Sequence, residues 1–167
     1  MDPFLSMFIS KVIKYFSARN LVMILSAPEI LLRLGPNPVK PPLVITPYSP
    51  ACQQPASYDL RAAEDTVIPR GSLSLVPTLE WVELPVDLAG TLRCRSSFGR
   101  RGILLGAGFV DPGFRGTLTL CLTNMGKEDV AVKKDDRVVQ MVLHEVLNGN
   151  ECYSGRYQDS EGVVGAR

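Results

Sequence analysis

Three arginines, two serine hydroxyls and two glycines lie within Arg95-Ser96-Ser97-Phe98-Gly99-Arg100-Arg101-Gly102. Guanidinium forks, hydroxyls and backbone N–H groups suit phosphate oxygens. No Gly-Lys-Ser/Thr follows, so this is not a Walker loop, and a solvated basic turn is the alternative reading. Nearby, Asp111 heads Asp111-Pro112-Gly113. A lone acid before Pro-Gly is ordinarily a turn residue, but a carboxylate facing bound phosphates can orient or deprotonate water. Two further segments carry polar groups: Asp135-Asp136-Arg137-Val138-Val139-Gln140, and the glycine-rich tail with Tyr153, Arg156 and Tyr157. The tail reads as a frayed terminus or as a lid that closes over a ligand. His144, the single histidine, lies in an apolar run and reads as structural.

The elements that must hold these groups are mostly strands. The chain has 167 residues, 46% of them apolar and 21% charged, enough to bury one core. Lys+Arg 18 against Asp+Glu 17 leaves a net charge of +1, which disfavours broad binding to nucleic acid or an anionic membrane. The four cysteines, Cys52, Cys94, Cys121 and Cys152, form no CxxC pair and, with one histidine, no zinc signature. They read as reduced, mostly buried thiols. Thr117-Leu118-Thr119-Leu120-Cys121-Leu122-Thr123 alternates, leucines on one face and threonines with Cys121 on the other. Leu73 to Val76, Leu79 to Leu84, Val130 to Val132 and Val138 to Val146 give further strands. Turns are expected at Pro69-Arg70-Gly71, Pro85 to Gly90, Pro112-Gly113 and Asn124-Met125-Gly126.

The first 34 residues read as helical. Phe4, Phe8, Val12, Ile13 and Phe16 fall near helical spacing, and a second helix runs from Ser26 to Leu34 with Ser26 as its cap and Gly35 as its stop. The longest apolar stretch, Leu21 to Leu25, is too short to span a bilayer. Asp2 precedes the first lysine, against a signal peptide. The expected location is therefore cytoplasmic. Seven prolines between Pro36 and Pro55 imply an extended arm that is neither helix nor central strand.

Taken in order, several segments carry a family resemblance. They are Met23-Ile24-Leu25-Ser26, Gln54-Pro55-Ala56-Ser57-Tyr58-Asp59-Leu60-Arg61, Glu83-Leu84-Pro85 through Arg95-Ser96-Ser97-Phe98-Gly99-Arg100, Val110-Asp111-Pro112-Gly113-Phe114-Arg115-Gly116, and Arg156-Tyr157-Gln158. The chain resembles the superfamily of dCTP deaminases and trimeric dUTPases, most of all its archaeal dUTPase branch. The match runs from about Met23 to Arg167, which makes 1–22 an N-terminal extension and 23–167 one domain with a flexible C-terminal tail. The resemblance implies an all-β, distorted, jelly-roll-like barrel (a β-clip) with an N-terminal helical segment. It also implies a homotrimer with active sites between subunits.

Carried over residue by residue, the resemblance makes Asp111 the water-activating acid. Arg95, Ser96, Ser97 and Arg100 become triphosphate-binding residues, joined by Gln140, Arg156 and the tail tyrosines Tyr153 and Tyr157. Mg²⁺ would arrive on the phosphates rather than at a protein metal site. Metal-free deaminases of this superfamily use a glutamate in the strand after the Asp-Pro-Gly turn, and counting from Asp111 that position holds Cys121. A thiol of unperturbed pKa ~8.5 is a poor carboxyl proton shuttle. The implied activity is dUTP hydrolysis to dUMP and pyrophosphate, with deoxyuridine triphosphate as the partner and neither nucleic acid nor membrane. The alternatives are a dCTP deaminase, alone or bifunctional, and a catalytically silent nucleotide-binding trimer. Uracil would be read by backbone groups in the hairpin before Asp111, in a segment, Gly102 to Asp111, shorter than its counterparts. Ser160 stands where deaminases tend to have glutamine.

Overall fold

Alternating apolar runs broken by glycine and proline favour short strands packed face to face, and the computed structural model, which describes residues 23–35 and 40–166, has that architecture. The strands are β1 (Val44–Thr46), β2 (Gln53–Gln54), β3 (Ser57–Arg61), β4 (Thr66–Ile68), β5 (Leu73–Glu83), β6 (Leu88–Cys94), β7 (Ile103–Gly106), β8 (Phe109–Val110), β9 (Arg115–Asn124), β10 (Val130–Val132) and β11 (Arg137–Glu145). One sheet has the order β2-β3-β11-β6-β8, a second β1-β5-β9-β7, and β4 pairs with β10. The sheets do not close into one ring, so the barrel is open and jelly-roll-like. Its core lies between their inner faces: Tyr58, Leu60, Val76, Val82, Leu92, Leu120, Leu122, Val139, Met141 and Leu143 are all buried.

Local chemistry explains where the elements depart from expectation. The expected helix over 1–22 lies outside the described residues. Residues 23–26 are not helical: Ile24 bridges to His144, and Leu25 N–H donates to Leu143 O at 3.0 Å. The helix α1 (Ala27–Leu34) starts after Ser26, whose side chain makes no capping bond, and ends at Gly35 in extended rather than left-handed backbone. Arg33, fully covered, ties α1 to the body through Asp87 at 2.9 Å and Pro41 O at 3.0 Å. Nor is the proline arm extended throughout. It contains β1, an edge strand where a missing N–H is tolerated, and a 3₁₀ turn at Pro50–Cys52.

The two apolar runs on either side of Pro77 form one strand, not two. β5 pairs with β9 from Leu73 to Pro77, slips register, and resumes at Trp81. At the slip Thr78 Oγ1 accepts from Leu118 N–H at 2.8 Å and donates to Glu80 O at 2.9 Å, which pairs groups the ladder leaves over. β6 begins at Leu88, inside the turn expected through Gly90. None of the four cysteines forms a disulfide, but only Cys52 is buried; Cys94 and Cys121 are half-buried and Cys152 is exposed.

A buried ion pair fastens the sheets together. Glu80 is 0% exposed. Its Oε1 meets Arg61 Nε at 2.6 Å and its Oε2 accepts from Arg61 N–H at 2.8 Å. Burial pushes the Glu80 carboxyl up, against the hydrogen bonds from Arg61 that pull it down.

Candidate functional site

The chain crosses from one sheet to the other just before Asp111. β7 pairs with β9, whereas β8 pairs with β6. The expected hairpin before Asp111 is therefore a crossing between sheets. Ala107 (φ +62°) and Gly108 (φ +116°) make the turn, and Gly108 O accepts from Leu92 N–H at 2.6 Å. The Asp111-Pro112-Gly113 turn is pinned to Leu84: Gly113 N–H donates to Leu84 O, and Leu84 N–H to Phe114 O, both at 2.9 Å.

These segments enclose a cavity of about 500 Å³, large enough for a small ligand. Asp111, Phe114, Thr119, Cys121, Tyr153 and Tyr157 are among its lining residues, and Ser160 also faces it. Cys121 stands in mid-strand, in register with Leu75 on one side and Gly106 on the other. A Cβ at Gly106 would lie 3.4 Å from Cys121 Sγ, so the glycine leaves the thiol uncovered.

The tail is docked, not frayed. Tyr153 packs edge-on against Phe114 with ring centroids 5.8 Å apart. Arg115 and Asp159 form a two-bond fork at 2.7 and 2.8 Å, which holds the Asp159 carboxyl below its usual range and the guanidinium above its own. Gln158 accepts from Arg115 N–H at 3.0 Å and donates to Gly113 O at 2.8 Å. Ser160 bridges in parallel to Gly116, and Val164 N–H donates to Thr119 Oγ1 at 3.0 Å. Gly116, at φ +146°, is what permits this approach, because a Cβ there would come within 2.9 Å of the Ser160 backbone. Gly116→Ala is expected to lift the tail and to cost about 1 kcal/mol of local stability. Faster proteolytic cutting between Tyr153 and Val164, with the body intact, is the readout; an unchanged cutting rate would refute it.

The other expected binding residues do not line the cavity. Arg95 follows β6, and Ser96 and Ser97 open the short helix α2 (Ser96–Gly99). Ser96, Ser97 and Arg100 are exposed. Gln140 lies on β11 opposite Arg93 on one side and Asp59 on the other. This row of Asp59, Gln140 and Arg93, with Arg95 two residues beyond Arg93, occupies the outer face of its sheet. The sequence reading gave Arg93 and Asp59 no role. The row could have been found only by knowing which strands pair. Arg156 is exposed in the tail.

Asp111 and the arginine row are separate within one chain. Val110 pairs with Gly90, so Asp111 lies past Gly90 at one end of β6 and Arg95 past Cys94 at the other. Six residue steps at ~3.3 Å, from Ala89 opposite Asp111 to Arg95, put about 20 Å between them along the strand, too far for one phosphoryl group to touch both. The chain thus carries two separate features, an acid beside a mostly apolar cavity and a polar row rich in arginine. Among the described residues no three His, Cys, Asp or Glu side chains are grouped to hold a metal ion, and no helix is long and apolar enough to cross a membrane.

The chain is similar to known proteins in sequence and in fold. Residues 62–146 match the family model described as dCTP deaminase-like. A protein named dCTP deaminase from Pyrococcus horikoshii is 37% identical over 142 residues, covering 75% of this chain and 91% of its own length. One named dCTP deaminase, dUMP-forming, from Methanopyrus kandleri is 44% identical over 105 residues, 59% of this chain and 54% of that protein. By structure, the native EIAV dUTPase matches with a TM-score of 0.56 at 20% identity, covering 70% of this chain and 98% of that one. The 2'-deoxycytidine 5'-triphosphate deaminase from Agrobacterium tumefaciens gives 0.62 at 19%, covering 75% and 49%. The two structural matches establish the jelly-roll-like fold, while the family model and the sequence relatives go further: the chain belongs to the dCTP deaminase-like family.

Proposed function

We propose that the chain hydrolyses dUTP to dUMP and pyrophosphate, and that it does so as a homotrimer whose sites form between subunits. The observation that carries this reading is the lining of the cavity: a thiol, Cys121, on the strand where a deaminase of this superfamily needs a glutamate, and a carboxylate, Asp111, at the turn where a dUTPase keeps its base. A carboxylate activates water for attack at phosphorus. The thiol lacks the carboxyl chemistry that carries protons to departing ammonia.

The two features then act as half-sites with distinct roles. The cavity receives the pyrimidine and sugar, with the backbone of the Leu105–Phe109 crossing reading the base edge and Phe114 covering the sugar. Asp111, exposed at the end of β8, takes a proton from the water that attacks the α-phosphorus. Arg95, Ser96, Ser97, Arg100 and Gln140 of a neighbouring copy hold the triphosphate and stabilise charge on its oxygens in the transition state. The separation of about 20 Å between Asp111 and Arg95 within one chain supports the neighbour's involvement. Tyr153, Tyr157 and Arg156 close the site from the tail and exclude water. Magnesium is part of the substrate, as the Mg·dUTP complex, held mainly by phosphate oxygens. The proposed location is cytoplasmic.

The second reading is a dCTP deaminase or a bifunctional enzyme, favoured by the names of the sequence relatives. Purified protein incubated separately with dUTP and dCTP, with and without Mg²⁺, decides between them. Pyrophosphate from dUTP with no ammonia from dCTP is the expected result. Ammonia from dCTP overturns it. Nucleotide binding without turnover of either identifies a silent binding trimer.

A further inference from the structure

Asp59 is a charged residue where a sheet could have placed an apolar one. Its side chain is 0% exposed, and neither carboxylate oxygen accepts a hydrogen bond among the described residues. Its partners are two cations: Arg95 Nε at 3.1 Å and Arg137 Nη1 at 3.6 Å. Burial pushes its carboxyl up, and the two arginines oppose that shift. An unpaired charge in that position would be strongly destabilising, so the pair of arginines is part of what allows it.

The geometry at Arg95 shows what the carboxylate does. Its Nε faces Asp59 and its Nη1 donates to Arg137 O at 3.2 Å. Nη1 is thus hydrogen-bonded and Nε is held in an ion pair, which restrains the fork and leaves Nη2 for a ligand. A planar guanidinium held at two points has little rotamer freedom left to lose on binding. Arg95 side-chain exposure is 27%, enough for contact with an anion. Gln140, opposite Asp59 in the ladder, lies beside the same row.

We propose that Asp59 is a positioning residue for the triphosphate half-site: it acts through Arg95, holding the fork ready for a polyphosphate. This rests on the reading of the arginine row as a triphosphate site. Inorganic tripolyphosphate is therefore the probe, because its binding depends on neither the base nor turnover. The wild-type protein should bind it, and Arg95→Lys should weaken that binding. Asp59→Asn should weaken it about ten-fold, the loss expected when one charge-assisted contact is gone, and should lower kcat/KM for dUTP by a similar factor.

In the Arg95→Lys background Asp59→Asn should have no further effect, because the two changes share one interaction. A merely structural role would give additive losses. If Asp59→Asn does not fold, the wild-type protein still decides the matter. The Arg95 side-chain resonances, identified by their loss in Arg95→Lys, should show slowed rotation of the guanidinium before ligand is added. Tripolyphosphate affinity unchanged in a folded Asp59→Asn, additive losses, or a freely rotating Arg95 guanidinium each overturn the proposal. Absence of tripolyphosphate binding by the wild-type protein overturns the triphosphate reading, and this inference with it.

Discussion

Asp111→Asn is expected to bind dUTP nearly as well as the wild-type protein and to hydrolyse it roughly 10²- to 10⁴-fold more slowly, the range lost when a general base is removed. The amide keeps the size and a hydrogen-bonding oxygen of the carboxylate, so what disappears is the proton acceptor. The backbone should not move. The turn is held by two hydrogen bonds to Leu84 and by Phe114 N–H donating to Asp111 O at 3.2 Å, and none of these uses the side chain. Steady-state kinetics with Mg·dUTP check the result through kcat, with KM changing by no more than about three-fold. Wild-type turnover in Asp111→Asn would remove the residue from its assigned role. A large rise in KM alone would make it a binding group instead.

Glu80→Ala should produce the largest loss of stability, about 3–5 kcal/mol. It removes one member of a covered ion pair and leaves the Arg61 guanidinium, 16% exposed, without its partner. It also strips the acceptor from the Arg61 backbone N–H, which Glu80 Oε2 holds at 2.8 Å. For a chain of this size the expected fall in Tm is roughly 10 °C, read by thermal unfolding monitored by circular dichroism. Arg61 retains Pro47 O at 3.0 Å and Asp135 at 3.5 Å, which should keep the loss from exceeding that range. A Tm within about 2 °C of wild type would mean that the pair fixes geometry without contributing stability. Replacing both partners, as in Arg61→Met with Glu80→Leu, should recover part of the loss because no buried charge is left over.

Much of the architecture could be read from local pattern, and the failures have local causes. The Thr/Leu alternation of β9 appeared as expected, with the cavity on the threonine and cysteine face, because a period of two can satisfy only one buried side. Pro77 concealed the continuity of β5. A proline usually ends a central strand, but here it sits at a register slip whose spare polar groups are taken up by Thr78. The crossing at Ala107 and Gly108 resembles a hairpin turn in sequence, and only the pairing of its flanks to different sheets separates the two. The candidate residues could be picked out by type, but their grouping could not be foreseen. Distances along the chain gave no sign that Asp59, Gln140 and Arg93 form a row, or that Arg115 and Asp159, 44 residues apart, fasten the tail.

The span of β6 between the acid and the arginine row has a consequence for how activity depends on amount. If neither half-site can act alone, catalysis is governed by the law of mass action between identical chains. Specific activity then falls on dilution below the assembly threshold, even though every chain remains folded. By the same logic, a chain damaged at its acid still lends intact arginines to a neighbour. A mixed population therefore retains more function than the sum of its defective members.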